Sequence, residues 1–284
     1  MSLTRKAAGW RVAYQGGFVD CDFVVLATGN DLPTPISPQL DARVQPLVID
    51  NPWDLPQLDP DENVLILGTG LSAVDAVLSL MDRDHRAPIV LVSRRGILPI
   101  VHVQPDAEAP LTSPYPQTAL AALKVLRAAA GPRPTPQRWQ GLMDSMRPYW
   151  PLLWHALRPR EQQRFLRHCA TFWNMHRHRL PPQVAQRVHI ALGRNARVIK
   201  GHLASVVLTE NAEALVTLSH GGTEQRLTVH RIINCMDPNC DPEKTHNRLI
   251  DNIVASRQAR TAECGIGLDV TDDNRVIDRM ASRR

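Results

Sequence analysis

Residues 68 to 73 read Gly-Thr-Gly-Leu-Ser-Ala. This G-x-G-x-x-A spacing has a physical use when a strand precedes it and a helix follows. Gly68 permits a tight turn, Gly70 has no side chain to hold a ligand away from the backbone, and Ala73 is small enough for the helix to pack on the strand. Thr69 and Leu71 complete the loop, and Ser72 adds a hydroxyl donor. A pyrophosphate placed there meets free N–H groups and the positive end of a helix dipole. Further along stand Ser93, Arg94 and Arg95. An acid at that position would accept a hydrogen bond from a ribose 2′-OH. Two guanidiniums and a hydroxyl suit a 2′-phosphate instead. The expected ligand is therefore NADPH rather than NADH. The bland alternative is that Arg94 and Arg95 only solvate a strand end.

The elements around these residues are legible. Val64, Leu65, Ile66 and Leu67 form a short apolar strand of the kind buried on both faces of a parallel sheet. The helix after the loop puts Ala73, Val74, Ala76, Val77, Leu80 and Met81 on one face. A second apolar strand, 89 to 92, runs into Ser93-Arg94-Arg95-Gly96, completing a βαβ unit. Upstream, residues 10 to 14 and 18 to 27 predict a β-hairpin around Gly16-Gly17, its second strand ending in Ala27-Thr28-Gly29. Seven prolines (33, 35, 38, 46, 52, 56 and 60) make residues 31 to 62 an extended crossing. Downstream, residues 99 to 116 are loop-like, with prolines at 99, 105, 110, 114 and 116. Helices are expected at 117 to 130, 137 to 147, 150 to 157, 159 to 179 and 182 to 192. An antiparallel meander is expected over 197 to 235, and a last helix at about 246 to 257.

Composition narrows the class. The chain has 284 residues, 43% of them hydrophobic and 21% charged, which is enough apolar material for a core and excludes wholesale disorder. No apolar run approaches bilayer length and the first ten residues lack a signal-peptide core, so neither a membrane span nor secretion is expected. The five cysteines form no C-x-x-C and cannot all pair, which reads as a reduced, cytoplasmic protein. The charge is uneven. Residues 127 to 197 hold thirteen arginines against two acids, Asp144 and Glu161, together with four of the six tryptophans and five of the eleven histidines. Three readings of this block stay open. It is the solvated face of a helical insertion, a cap that clamps an anionic small-molecule substrate or the NADPH phosphates, or a nucleic-acid surface.

Other candidates carry less. His168, Cys169, His176 and His178 do not have metal-ligand spacing, so no metal is expected. His102 reads as a packed loop histidine. Cys235 and Cys240 read as inert rather than as a redox pair.

Taken together, VLILGTGLSAVD, LVSRRGILPIVH and the upstream FVVLATGN resemble the bacterial FAD/NAD(P)-binding proteins of the YdhS-like group, among the flavoproteins with two dinucleotide-binding domains. The similarity runs from about residue 9 to 270, through the arginine block, which weighs against a nucleic-acid partner. The resemblance implies an α/β fold: a Rossmann-like NAD(P)-binding domain with a helical insertion, plus partial FAD-type domain segments. The implied boundaries are 1–30 for the first FAD-type strands, 31–62 for the linker, 63–229 for the NADPH domain with an insertion at about 105–192, and 230–284 for the FAD-type return. Ala27, Thr28 and Gly29 match the family's A-T-G motif beside FAD. The implied function is an oxidoreductase passing hydride from NADPH to FAD, with no protein nucleophile needed.

The chain departs from the family pattern in three places. No FAD-type glycine fingerprint precedes residue 10. Cys235-Met236-Asp237-Pro238 stands where C-T-G-P is usual. The chain stops soon after Gly267. A second polypeptide supplying the FAD half is therefore an expected partner. The alternatives are a nucleotide-binding module or truncated remnant lacking flavin, and nucleic-acid binding through the arginine block.

Overall fold

The computed structural model describes residues 1–36, 40–110 and 115–278; Pro38 and Pro114 lie outside them. It divides into two compact units, one of Met1–Thr34 with Pro238–Arg284 and one of Pro35–Asp237.

The larger unit is built on a parallel sheet. Its strands, in chain order, are Val48–Ile49, Val64–Leu67, Ile89–Ser93, Ala196–Lys200 and Arg231–Asn234. With the smaller unit's three strands counted first, and a separate meander between the last two, these are β4, β5, β6, β7 and β11. Their spatial order is β4-β11-β5-β6-β7, every neighbouring pair parallel. The unbroken apolar runs of β5 and β6 follow from burial on both faces. Val64, Ile66, Ile89 and Leu91 enter one core with helix α1 (Leu71–Asp82), while Leu65, Leu67, Val90 and Val92 enter the other. That second core is closed by an antiparallel meander of β8 (His202–Leu208), β9 (Ala214–His220) and β10 (Thr223–Val229). Strand alternation thus feeds two hydrophobic layers. Each fully buried Leu or Ile contributes about 1.5–3 kcal/mol to them.

The expected meander over 197 to 235 is shorter in the structure. β7 and β11 leave it for the parallel sheet, because their Ala196, Ile232 and Ile233 are buried against strands and helices there. The crossing segment 31 to 62 contributes a short 3₁₀ turn, Ala42–Leu47, and the edge strand β4.

Between β6 and β7 the chain makes helices α2 (Ala119–Ala130), α3 (Pro136–Ser145), α4 (Trp150–Ala156), α5 (Pro159–His168), α6 (Ala170–Arg177) and α7 (Pro182–Arg194). The single helix expected over 159 to 179 is two, broken at Cys169. Thr118 and Thr135 cap α2 and α3 through their side chains. The insertion has its own small core of Ala130, Leu142 and Met146, edged by Trp139 and Trp150. α7 leaves it, and its Ala191 packs in the core with α1.

The smaller unit is an antiparallel sheet of β1 (Ser2–Arg5), β2 (Trp10–Tyr14) and β3 (Gly17–Cys21) with helix α8 (Arg248–Ala255). Leu3, Ile253 and Ala259 form its centre. β1 was not expected. The second hairpin strand stops at Cys21 rather than continuing to 27. Beyond it Val24 and Leu26 pack inward, while Phe23 and Val25 face solvent at 89% and 87% exposure. The two-residue alternation of a strand persists there without a ladder partner among the described residues.

Candidate functional site

The site begins where β5 ends. Gly68 turns the chain at φ +119°, and a Cβ there would lie 2.3 Å from the Cys235 carbonyl oxygen. Only glycine allows the turn after β11 to come so close. Gly70 has a different reason. It is the N-cap of α1, with extended backbone and no side-chain capping bond, and a Cβ on it would meet nothing within 4 Å. No acid occupies the first turn of α1. The first N–H groups of the helix therefore have no intrahelical acceptor and open onto free space. Leu71 is exposed, Ser72 half-buried, and Ala73 fully buried against the sheet.

Thr69 is 7% exposed, and its hydroxyl donates to the Ile97 carbonyl at 2.7 Å. That fixes the direction of its second contact. With its only proton committed, Thr69 Oγ1 accepts from Ser93 Oγ, 2.8 Å away. Ser93 Oγ in turn accepts from the Gly96 N–H at 3.0 Å. This chain ties the glycine elbow to the loop after β6. It also uses the Ser93 hydroxyl inside the fold, so Ser93 shapes that loop. Arg94 and Arg95 are exposed, and among the described residues neither has a carboxylate partner. The Arg95 guanidinium lies 5.3 Å from the Phe172 ring centroid on α6. The insertion thus reaches the loop that carries the two arginines.

The arginine block is divided. Arg179 is buried and makes a bidentate pair with Asp144, 2.9 and 3.0 Å, while its Nε donates to the His176 carbonyl. Arg164 bonds Glu161, whose other oxygen accepts from the first N–H of α2. The aromatics contact one another edge-on: Trp150 with Trp173, Trp154 with Phe165, Phe165 with Trp173. Arg158, Arg160 and Arg167 remain exposed. Among the described residues no three His, Cys, Asp or Glu side chains gather as metal ligands. Burial, with Asp75 adding to it, pushes the Cys235 thiol up to about 12, so it is protonated and unreactive at neutral pH. His102 is exposed on the segment that pairs with Leu180.

No family model matches the sequence, and no curated protein sequence matches it. Solved structures do match. L-lysine 6-monooxygenase from Pseudomonas syringae covers 99% of the chain at 17% identity and TM-score 0.59. The FAD-bound cadaverine monooxygenase of the desferrioxamine biosynthetic pathway from Erwinia amylovora covers 95% at 12% identity and TM-score 0.58. The chain shares the mixed α/β, Rossmann-type fold of these proteins. An ornithine N-hydroxylase from Kutzneria sp. 744, with reduced FAD, NADP+ and L-ornithine, also covers 95%, at 14% identity and TM-score 0.51. The chain spans 60%, 56% and 57% of these three proteins.

Of the residues singled out by sequence, 68 to 73 and 93 to 95 come together in the larger unit through the Thr69–Ser93 bond. Ala27, Thr28 and Gly29 belong to the smaller unit and are exposed, Gly29 at φ +69°. Sequence reasoning missed Phe172 and the backbone of Cys235, which lie far away in the chain. Gly96, directly after the two arginines, was the local sign of a tight turn.

Proposed function

We propose that the chain binds NADPH through the glycine elbow and the β6 edge, and serves as the nicotinamide side of a flavin-linked oxidoreductase. The observation that carries this is the hydroxyl chain from Thr69 to Gly96. It holds an uncapped helix end and two unpaired guanidiniums in one piece of structure. The N–H groups of Leu71, Ser72 and Ala73 would take the pyrophosphate. Arg94 and Arg95 would take the 2′-phosphate as planar forks. Bound NADPH would supply a hydride for a flavin to accept. The protein's part is to orient the first and shield it from water.

The fit for FAD differs. Ala27, Thr28 and Gly29 supply an exposed turn, and no strand–glycine elbow–helix accompanies them among the described residues of the smaller unit. We take the flavin pyrophosphate to be held by a second polypeptide. Membership in the YdhS-like group belongs to the same reading. The substrate is a small molecule, and the exposed arginines of the insertion favour an anionic one. Trp150, Trp154, Phe165 and Trp173 of the insertion contact one another rather than being presented for stacking on bases, which weighs against nucleic acid. Among the described residues no helix is long and apolar enough to cross a membrane. Cysteines such as Cys21, Cys169, Cys235 and Cys264, which form no disulfide, accord with a cytoplasmic setting.

Calorimetry with NADPH and NADH tests the reading. Arg94→Ala with Arg95→Ala should weaken NADPH at least roughly tenfold and leave NADH unchanged. Equal loss of both would count against it. A second reading, a nucleotide-binding module without flavin, rests on there being no FAD-type elbow among the described residues of the smaller unit. The visible spectrum separates the two. Bound or reconstitutable flavin supports the oxidoreductase, and a colourless protein that still binds NADPH supports the module.

A further inference from the structure

We propose that Lys200 is the third cation of the 2′-phosphate site and helps set the choice of NADP(H) over NAD(H). The inference rests on the NADPH reading above and adds a residue that neither the glycine motif nor the arginine pair points to.

Lys200 ends β7, and Ser93 ends β6. The two are register partners in adjacent parallel strands. The Gly201 N–H donates to the Ser93 carbonyl at 2.9 Å, so the strands stay joined to their last residue. From Ser93 the chain passes through Arg94 and Arg95 and turns back at Gly96, φ +61°, whose N–H reaches both the Ser93 carbonyl (3.2 Å) and its Oγ (3.0 Å). This turn folds the arginine loop onto the lysine. A Cβ on Gly96 would stand 2.9 Å from Lys200 Cβ and 3.1 Å from its Cα. Lys200 is exposed. Among the described residues no carboxylate lies within ion-pair distance of Lys200, Arg94 or Arg95, although fourteen such pairs occur elsewhere.

Three positive charges around one turn, with no internal counter-charge, repel one another, and a dianionic phosphate would relieve that. Their chemistry is complementary. Arg95 is steadied against Phe172. Arg94 is a free planar fork. Lys200 is a point charge on a flexible stem that can follow a phosphate oxygen. NAD(H) carries only a neutral hydroxyl at the 2′ position, with no charge for the ammonium to pair with.

The test is calorimetric titration of the whole chain with NADP+ and with NAD+. The proteins are wild type, Lys200→Gln, Lys200→Arg, the Arg94→Ala/Arg95→Ala variant and, as a remote charge control, Arg226→Gln on the exposed edge of the meander. Lys200→Gln should weaken NADP+ roughly tenfold with NAD+ unchanged. Lys200→Arg should stay near wild type, and Arg226→Gln should change neither. The inference is overturned if Lys200→Gln, with an unaltered melting temperature, binds NADP+ like wild type while the double arginine variant does not. It is overturned as well if Arg226→Gln costs as much, because a general field would then explain the effect. If wild type itself does not prefer NADP+ to NAD+, the NADPH reading fails first and takes the role of Lys200 with it.

Discussion

Two glycines two residues apart answer to different neighbours. Gly68 is glycine because of the protein: its φ is positive and Cys235 occupies the place of a Cβ. Gly70 is glycine beside open space, at an ordinary backbone angle. The pair therefore separates stability from binding. Gly68→Ala should destabilise the larger unit by about 3 kcal/mol or more, from a strained backbone and a backbone clash. Gly70→Ala should cost less than about 1 kcal/mol yet weaken NADPH sharply, because the methyl group enters the space a pyrophosphate would use. Denaturant melts and nucleotide titrations of both variants check this. If Gly70→Ala bound NADPH normally, the elbow would not be a phosphate site.

At the scale of elements, the helical insertion is held to its exit by charge. Arg179, one residue before Leu180, reaches back across the insertion to Asp144 on α3 and to two carbonyls; its own side chain is 8% exposed and that of Asp144 is 31%. Removing Arg179 leaves Asp144 with the longer contact to Arg147, 3.6 Å, and takes the donor from two carbonyls. Arg179→Leu should therefore cost about 1.5–3 kcal/mol, against less than about 1 kcal/mol for the exposed Arg160→Leu. Protease sensitivity of the segment between β6 and β7 reports the loss locally. Equal stability of the two variants would mean that the aromatic contacts hold the insertion alone. Pro159 and Pro182 open α5 and α7 at positions where a missing N–H costs nothing, so the prolines that divide the insertion also start its helices.

For the molecule as a whole, two interior histidines set an acid limit. His85 is 3% exposed with an unpartnered Nε2, and burial lowers its pKa. His176 accepts the Trp139 indole N–H at Nδ1 and is lowered by burial and by Arg179. Both shifts favour the neutral ring in the folded state. The unfolded chain, with histidines near about 6.5, takes up more protons as pH falls. Stability is then full above about pH 6.5 and declines below it, by up to about 1.4 kcal/mol per pH unit for each extra proton bound. Urea melts between about pH 7.5 and 5.5 measure it, above the range where carboxylates titrate. The slope should flatten in His85→Leu. Stability that stayed level or rose on acidification would contradict the neutral assignment of both rings.

The βαβ unit and its glycine elbow could be read from local order alone. A wholly apolar four-residue strand, a glycine spacing and a 3.6-residue apolar period each leave a signature in adjacent positions. The helices of the insertion were legible too, because prolines punctuate them. What only the tertiary structure decided was partnership. Whether β7 and β11 join the meander or the parallel sheet depends on which faces they bury. That the Ser93 hydroxyl is used internally depends on Thr69 being beside it. That Phe172 and Lys200 stand beside the arginine loop depends on contacts between residues far apart in the chain. Spacing along a chain encodes the geometry of a single turn or strand. Which strand ends meet, and so which charges share a site, is set by how the layers pack.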